Sequence, residues 1–136
     1  RCSHEHMQWV LKVADLADDI RNLRDGINTW LQADGMNVPQ SLMRRIVIAR
    51  CILGKPGLLV LVEGFNGLET SVKEHIVDHI YNEKCWTILD VSRDAALLRR
   101  SQQVYALAGG RVSENGTKEE MYINPESIIH TLYPQA

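Results

Sequence analysis

A short apolar run that ends in an acidic residue constrains the fold of this chain most strongly. The run is LLVLV, residues 58–62, and Glu63 follows it directly. Five consecutive apolar residues are too few for a helix of their own, and an uninterrupted run is typical of a strand buried on both faces. The segment CWTILDVS, residues 85–92, is also rich in apolar residues and reads as a second buried strand. We therefore predict two buried strands.

Helical segments alternate with these strands. Apolar residues at helical spacing predict a helix from a cap at Thr70 or Ser71 to about Tyr81, and Asp94 can cap a further helix, AALLRR. The run QVYALA then reads as a third strand. The order strand, helix, strand, helix, strand predicts an α/β fold with a parallel sheet that carries helices on its faces.

Two local signals follow. In QVYALAGGRVSE, Gly109 and Gly110 can supply the positive φ angles of a two-residue turn, which predicts a hairpin. In TKEEM, Thr117 is followed three residues later by Glu120, the pattern of a capping box at the start of a helix.

The N-terminal part of the chain has helical signals only. Spacing of apolar residues predicts a helix over residues 4–20 and a shorter helical piece that ends at Gly26. A stronger helix is predicted to begin at Pro39, because proline suits the first helical position, and to stop at Gly54. The segment QADGMN before it reads as a loop. We expect two domains, a helical subdomain over 1–55 and an α/β part over 56–136.

The composition excludes some partners. With 15 Lys and Arg against 17 Asp and Glu, the chain gives no electrostatic reason to bind nucleic acid or an anionic membrane surface. The three cysteines are widely spaced, and two lie in apolar segments, so reduced core thiols are predicted. No apolar stretch approaches the roughly 20 residues of a membrane-spanning helix.

The histidines and tryptophans favour structural roles. His75 and His79 are four residues apart on a predicted helix, a spacing that can bind a metal, but no acid or cysteine constellation accompanies them. A solvated helix face is the favoured interpretation, and no metal site is predicted. The tryptophans are expected to be core anchors, at Trp9, Trp30 and Trp86.

The order of these pieces resembles the C-terminal half of an ABC-transporter nucleotide-binding domain of the exporter type. The stretch RRIVIARCILGKPGLLVLVEGFNGLE is similar to that family's signature-loop helix, proline turn, Walker B strand and D-loop. Downstream, WTILDVSR resembles the switch strand, and QQVYALAGGRVSENGTKEEM resembles the segment after it. The resemblance extends in order over nearly all of residues 4–121. It implies a P-loop NTPase (RecA-like) core, C-terminal half, with an N-terminal helical subdomain that includes the signature-loop helix.

The resemblance assigns a role to the acid that ends the first strand. Glu63 matches the carboxylate that polarises the attacking water. The alternative is a surface glutamate at a strand end. Val62 replaces the family's magnesium-binding Asp, and since valine offers no oxygen we expect it to pack in the core. The Walker B strand falls on Leu58, Leu59, Val60, Leu61 and Val62.

Other motif positions are matched but altered. The signature loop Leu-Ser-Gly-Gly-Gln falls on residues without its two glycines and with a proline that lacks an N–H, so close approach to phosphate is compromised. Arg93 stands where the switch histidine is expected and is predicted to pair with an acid at the sheet edge. The signature positions are Val38, Pro39, Gln40, Ser41 and Leu42, and those of the D-loop are Asn66, Gly67, Leu68 and Glu69.

The resemblance also defines the expected function. No G-x-x-x-x-G-K-[ST] motif is present in the 136 residues, so the phosphate-binding Walker A loop is missing from this chain. We expect a fragment of an ABC-transporter ATP-binding protein, catalytically degenerate, whose full-length parent uses ATP and Mg while this chain alone binds neither. The alternative is a non-catalytic pseudo-ATPase that serves as an interaction or regulatory module.

Partners and location follow from the same resemblance. Implied partners are a second nucleotide-binding domain, in a homo- or heterodimer, and the transmembrane domain of a transporter, on the cytoplasmic face of a membrane. Without the strand that normally fills the sheet, an uncovered apolar surface and self-association of the chain are expected.

Overall fold

The computed structural model describes residues 2–32 and 37–133. Contacts divide the chain into two units, one up to Val91 and one from Ser92 onward. The predicted loop QADGMN occupies residues 32–37, and its residues 33–36 lie outside the described residues.

The first unit is a mixed α/β unit. Its helices and strands, in chain order, are α1 His4–Val13, α2 Ala17–Asn22, a 3₁₀ turn Gly26–Asn28, α3 Gln40–Leu53, β1 Leu58–Val62, α4 Thr70–Asn82 and β2 Thr87–Val91.

The predicted helix over residues 4–20 is wrong, because the chain breaks it at Asp15. Asp15 has a φ of 53°, a left-handed conformation that ends α1, and its N–H donates to the Lys12 carbonyl. The chain then turns, and α2 begins at Ala17. Apolar spacing continues through this turn, since Val10 and Val13 before it and Leu16 after it are all buried. That periodicity concealed the break.

Helix α3 lies where it was predicted, with a change at its start. Pro39 is not the first helical residue but the N-cap, with an extended backbone and no side-chain cap hydrogen bond. Gly54 ends the helix as predicted. Likewise Glu69, and not Thr70 or Ser71, is the N-cap of α4.

Strands β1 and β2 pair in parallel, as predicted, with Leu58 opposite Thr87 and Val62 opposite Val91. The prediction that both faces are buried is wrong. Leu59 and Leu61 are buried against the core, whereas the other face is exposed. We call this face the open sheet face. Its apolar residues are 47–66% exposed, namely Leu58, Val60, Val62, Leu89 and Val91.

The second unit contains a hairpin and short helices. Its elements are α5 Ala95–Arg100, β3 Gln103–Ala108, β4 Arg111–Thr117, α6 Lys118–Ile123 and α7 Ile128–Leu132. Asp94 caps α5, and Thr117 and Glu120 form the capping box, both as predicted. Gly109 and Gly110, with φ of 57° and 74°, make the hairpin turn as predicted. A core of Leu98, Ala106, Met121 and Ile129 holds the unit together.

Three other predictions are wrong. Within the described residues, β3 pairs only with β4, in antiparallel fashion, and is not a third strand of the β1–β2 sheet. All three cysteines are exposed, so none is a core thiol. Trp86 is a core anchor as predicted, but Trp30 is 86% exposed.

Candidate functional site

The site predicted from sequence centres on the end of β1. Glu63 follows β1, and its N–H donates to the carbonyl of Val91, the last residue of β2, at 2.9 Å. The side chain therefore lies at the carboxyl ends of both parallel strands. Ligands of open α/β sheets bind at such strand ends.

The backbone of Glu63 is in an unusual conformation. Its φ is 48°, in the left-handed region that few residues other than glycine adopt. Its carbonyl accepts hydrogen bonds from Arg44 Nη1 at 3.3 Å and from the Asn66 N–H at 3.2 Å. The peptide group is thus fixed by β2, by α3 and by the loop that follows.

The carboxylate of Glu63 has no polar partner among the described residues. It is half-buried, and within residues 2–32 and 37–133 it forms no ion pair and accepts no hydrogen bond. A carboxylate with free lone pairs on a fixed strand end can accept a hydrogen bond from a water molecule.

The predicted D-loop is a compact turn from Glu63 to α4. Phe65 anchors it in the core at 4% exposure, and its carbonyl accepts from the Leu68 N–H at 3.3 Å. Position 67 favours glycine, because its φ of 75° lies in the left-handed region that other residues rarely adopt. Asn66, Gly67 and Glu69 are exposed, and Leu68 is half-buried.

Val62 is placed differently from its prediction. Its side chain is 66% exposed on the open sheet face, so the expected packing in the core is wrong. Alternation along β1 explains this, because Leu61 occupies the buried side. An apolar side chain at this position has no oxygen for a metal.

The predicted signature positions form the entry into α3. Leu42 is the one buried anchor among them, at 4% exposure, and Val38 and Ser41 are half-buried. Pro39 and Gln40 are exposed, and the Pro39 carbonyl accepts from the Met43 N–H at 3.0 Å.

Arg93 lies just after β2, at the start of the second unit. It is exposed and forms no ion pair with a residue that the structure describes. The predicted pairing with an acid at the sheet edge is therefore wrong for the described part of the chain.

Sequence reasoning missed two arginines of α3. Arg45 is 7% exposed, and its guanidinium donates to Asp19 Oδ2 at 2.7 Å and to the Asp15 carbonyl. Its neighbour Arg44 contacts Glu63. The spacing along α3 could have indicated that Arg45 is buried. It falls on the same helix face as the buried residues Leu42, Ile48, Ala49 and Ile52.

The His75–His79 pair is held by backbone carbonyls. The rings lie 4.3 Å apart, His75 Nε2 is 2.9 Å from the Lys12 carbonyl, and His79 Nδ1 is 2.7 Å from the His75 carbonyl. Among the described residues no cluster of three or more His, Cys, Asp or Glu side chains could hold a metal. In the same part of the chain, no helix is both long and apolar enough to span a bilayer.

Comparisons with known proteins extend these observations. No protein-family model matches the chain. It is 28% identical over 133 residues to the ABC multidrug transporter MDR2 of Trichophyton interdigitale (strain MR816), a match that covers 94% of this chain and 10% of the relative. It is 26% identical over 133 residues to the alpha-hemolysin translocation ATP-binding protein HlyB of Escherichia coli, which covers 96% of this chain and 19% of that protein.

A solved structure shares the fold. A bacterial Atm1-family ABC exporter, determined with ATP bound, superposes with a TM-score of 0.87 at 20% identity, over 98% of this chain and 23% of the exporter chain. The chain thus spans only a fraction of the length of these proteins. The resemblance drawn from the sequence is confirmed: the homologues of this chain are ABC transporters, and its fold is that of a part of an ABC exporter.

Proposed function

We propose that this chain is part of a longer ABC-transporter ATP-binding protein that couples ATP binding or hydrolysis to transport. In this proposal, residues 1–55 form the helical subdomain with the signature-loop helix, and residues 56–136 form the C-terminal part of a P-loop NTPase core. Support comes from the relatives, which are several times longer and are ABC transporters.

The observation that carries the proposal is the position of Glu63. It is an unengaged carboxylate at the carboxyl end of β1, on a backbone that three hydrogen bonds fix. In the proposal it polarises the water that attacks the γ-phosphate, which requires an acceptor held in a fixed direction. Asn66, Gly67, Leu68 and Glu69 then form the D-loop.

The proposed site is degenerate. Val62 has no oxygen for the magnesium shell, and Pro39 has no N–H to offer a phosphate. Arg93 is a fixed cation that cannot exchange donor and acceptor roles as a histidine can. These changes predict a slow or inactive ATPase.

ATP and Mg are the proposed cofactors of the full-length protein, and this chain alone, without a Walker A motif, is expected to bind neither. The proposed partners are a second nucleotide-binding domain, in a homo- or heterodimer, and a transmembrane domain. The proposed location is the cytoplasmic face of a membrane.

A second function is favoured by one observation. Val62 presents an apolar surface, 66% exposed, where the family has a metal-binding acid. An apolar residue there suits contact with protein better than contact with a hydrated ion. The second candidate is therefore a non-catalytic pseudo-ATPase that acts as an interaction or regulatory module.

The test is Mg-ATP turnover of the full-length protein with a Glu63→Gln variant. If Glu63 polarises the water, turnover falls at least about 100-fold in the variant, because the amide cannot serve as the base. Glu74→Gln is the matched control, since Glu74 is exposed on α4 away from the proposed motifs. Binding of ATP with no turnover in any of the three proteins would support the pseudo-ATPase. Equal turnover in all three would contradict the role of Glu63.

A further inference from the structure

The adjacent arginines Arg44 and Arg45 form hydrogen bonds from α3 to two different parts of the first unit. Arg45 donates to Asp19 and to the Asp15 carbonyl, in the turn between α1 and α2. Arg44 donates through Nη1 to the Glu63 carbonyl at 3.3 Å, and it is half-buried. Helix α3 is thereby connected to both the α1–α2 turn and the end of β1.

The contact of Arg44 falls on a backbone that needs support. A glutamate at a φ of 48° is strained and keeps this conformation only when its surroundings hold it. The N–H of Glu63 is held by Val91, and its carbonyl is shared by Asn66 and Arg44. Of these three partners only Arg44 acts through a side chain, and so a substitution can remove it without changing the backbone.

We propose that Arg44 is a positioning residue for Glu63. The guanidinium fixes the Glu63 peptide, and the peptide fixes the direction in which the carboxylate leaves the strand. Helix α3 begins at Gln40, one of the proposed signature positions. Because Arg44 joins this helix to the Glu63 peptide, a displacement of the helix would be transmitted to the carboxylate through a single charged hydrogen bond. The inference rests on the proposed function of Glu63 for its catalytic meaning, whereas the backbone contact stands on geometry alone.

The experiment compares Arg44→Met with Arg50→Met in the full-length protein. Methionine keeps an aliphatic stem and removes the donors. Arg50 is the matched control because it lies on α3, is exposed, and makes no hydrogen bond or ion pair with a described residue. Two readouts are taken: hydrogen–deuterium exchange of the peptide that spans residues 62–69, and kcat and KM for Mg-ATP.

The expected result in Arg44→Met is exchange about 10-fold faster over residues 62–69, with unchanged exchange in the buried part of α4 as the folding reference. We expect kcat to fall about 10-fold at an unchanged KM, because the direction of the base changes and nucleotide binding does not. Arg50→Met should change neither readout. Arg44→Lys, which keeps a charged donor, should restore part of both.

The outcomes separate the two proposals. Equal exchange in Arg44→Met and Arg50→Met overturns the positioning role, even if Glu63→Gln abolishes turnover. Faster exchange in Arg44→Met, with turnover insensitive to Glu63→Gln, leaves the backbone contact in place and overturns the catalytic role of Glu63. In a protein without turnover, the exchange comparison alone decides on Arg44.

Discussion

At the scale of single residues, Asp15 and Glu63 are two of the three described non-glycine residues with a positive φ, the third being Lys55. Asp15 and Glu63 both have a positive φ, and each has a carbonyl that accepts from an arginine of α3. Such conformations are costly by about 1–3 kcal/mol and persist where neighbouring groups enforce them. Neither could be predicted from sequence, because the enforcing arginine lies 30 residues away for Asp15 and 19 away for Glu63.

Arg45 should therefore matter for stability. We expect Arg45→Ala to lower the free energy of unfolding by about 2–4 kcal/mol, because it removes a buried stem and the charged guanidinium that donates to Asp19 and to the Asp15 carbonyl. Urea unfolding of the chain measures this. Arg50→Ala, on the exposed side of the same helix, should stay within about 0.5 kcal/mol of the unsubstituted protein. An equal effect of the two substitutions would contradict the role of Arg45.

At the scale of elements, local signals predicted what local chemistry determines. The bounds of β1, the Gly109–Gly110 turn and the Thr117–Glu120 box depend on neighbours in the chain and are confirmed. Burial of the strands depends on what covers them, and an apolar run gives no information on that. The same reason explains the exposed Cys51 and Cys85, which lie in apolar segments that face outward at those points.

One element has a pH dependence that can be tested. Glu114 on β4 accepts from the Ser127 hydroxyl at 2.7 Å and from the Ile128 N–H at 2.9 Å, at the start of α7. These two hydrogen bonds lower the pKa of Glu114 below its usual 4.5, and the one from Ser127 has the larger effect. Because the folded pKa is lowered, the stabilisation is present above pH 4.5 and disappears as the pH falls through the folded pKa.

We expect Glu114→Gln to be less stable than the unsubstituted chain at pH 7, with the difference shrinking as the pH falls below 4.5. Chemical unfolding followed at a series of pH values measures the difference. Glu126→Gln is the control, because the Glu126 side chain is exposed and forms no hydrogen bond or ion pair with a described residue. A difference that is constant from pH 7 to pH 3 would be evidence against stabilisation by the Glu114 carboxylate.

At the scale of the whole molecule, the parallel pairing of β1 with β2 was predictable from a helix between two apolar runs, and it is confirmed. An uncovered apolar surface is present in the structure, namely the open sheet face. Its five apolar side chains form one continuous patch, because opposite residues of paired strands point the same way.

This face predicts self-association of the chain. Exposed apolar patches and unpaired strand edges both favour contact with another molecule. We expect sedimentation equilibrium to show dimers or larger species at high concentration, and Leu89→Lys, which places a charge in the patch, to weaken the association. Gln102→Lys adds the same charge at an exposed site outside the patch and should leave association unchanged. A chain that stays monomeric at high concentration would rule the prediction out.

The location of the tryptophans allows the unfolding of the two units to be followed separately by spectroscopy. Trp9, Trp30 and Trp86 all belong to the first unit, and the second unit has none. Trp86 is buried, donates to the Ile80 carbonyl at 3.0 Å, and lies 6.2 Å from Trp9 between ring centroids. Tryptophan fluorescence, excited at a wavelength that tyrosine does not absorb, therefore reports the melting of the first unit, whereas circular dichroism averages over both. Superimposable thermal curves from the two signals would mean that the units unfold cooperatively, and separated curves would give each unit its own melting temperature.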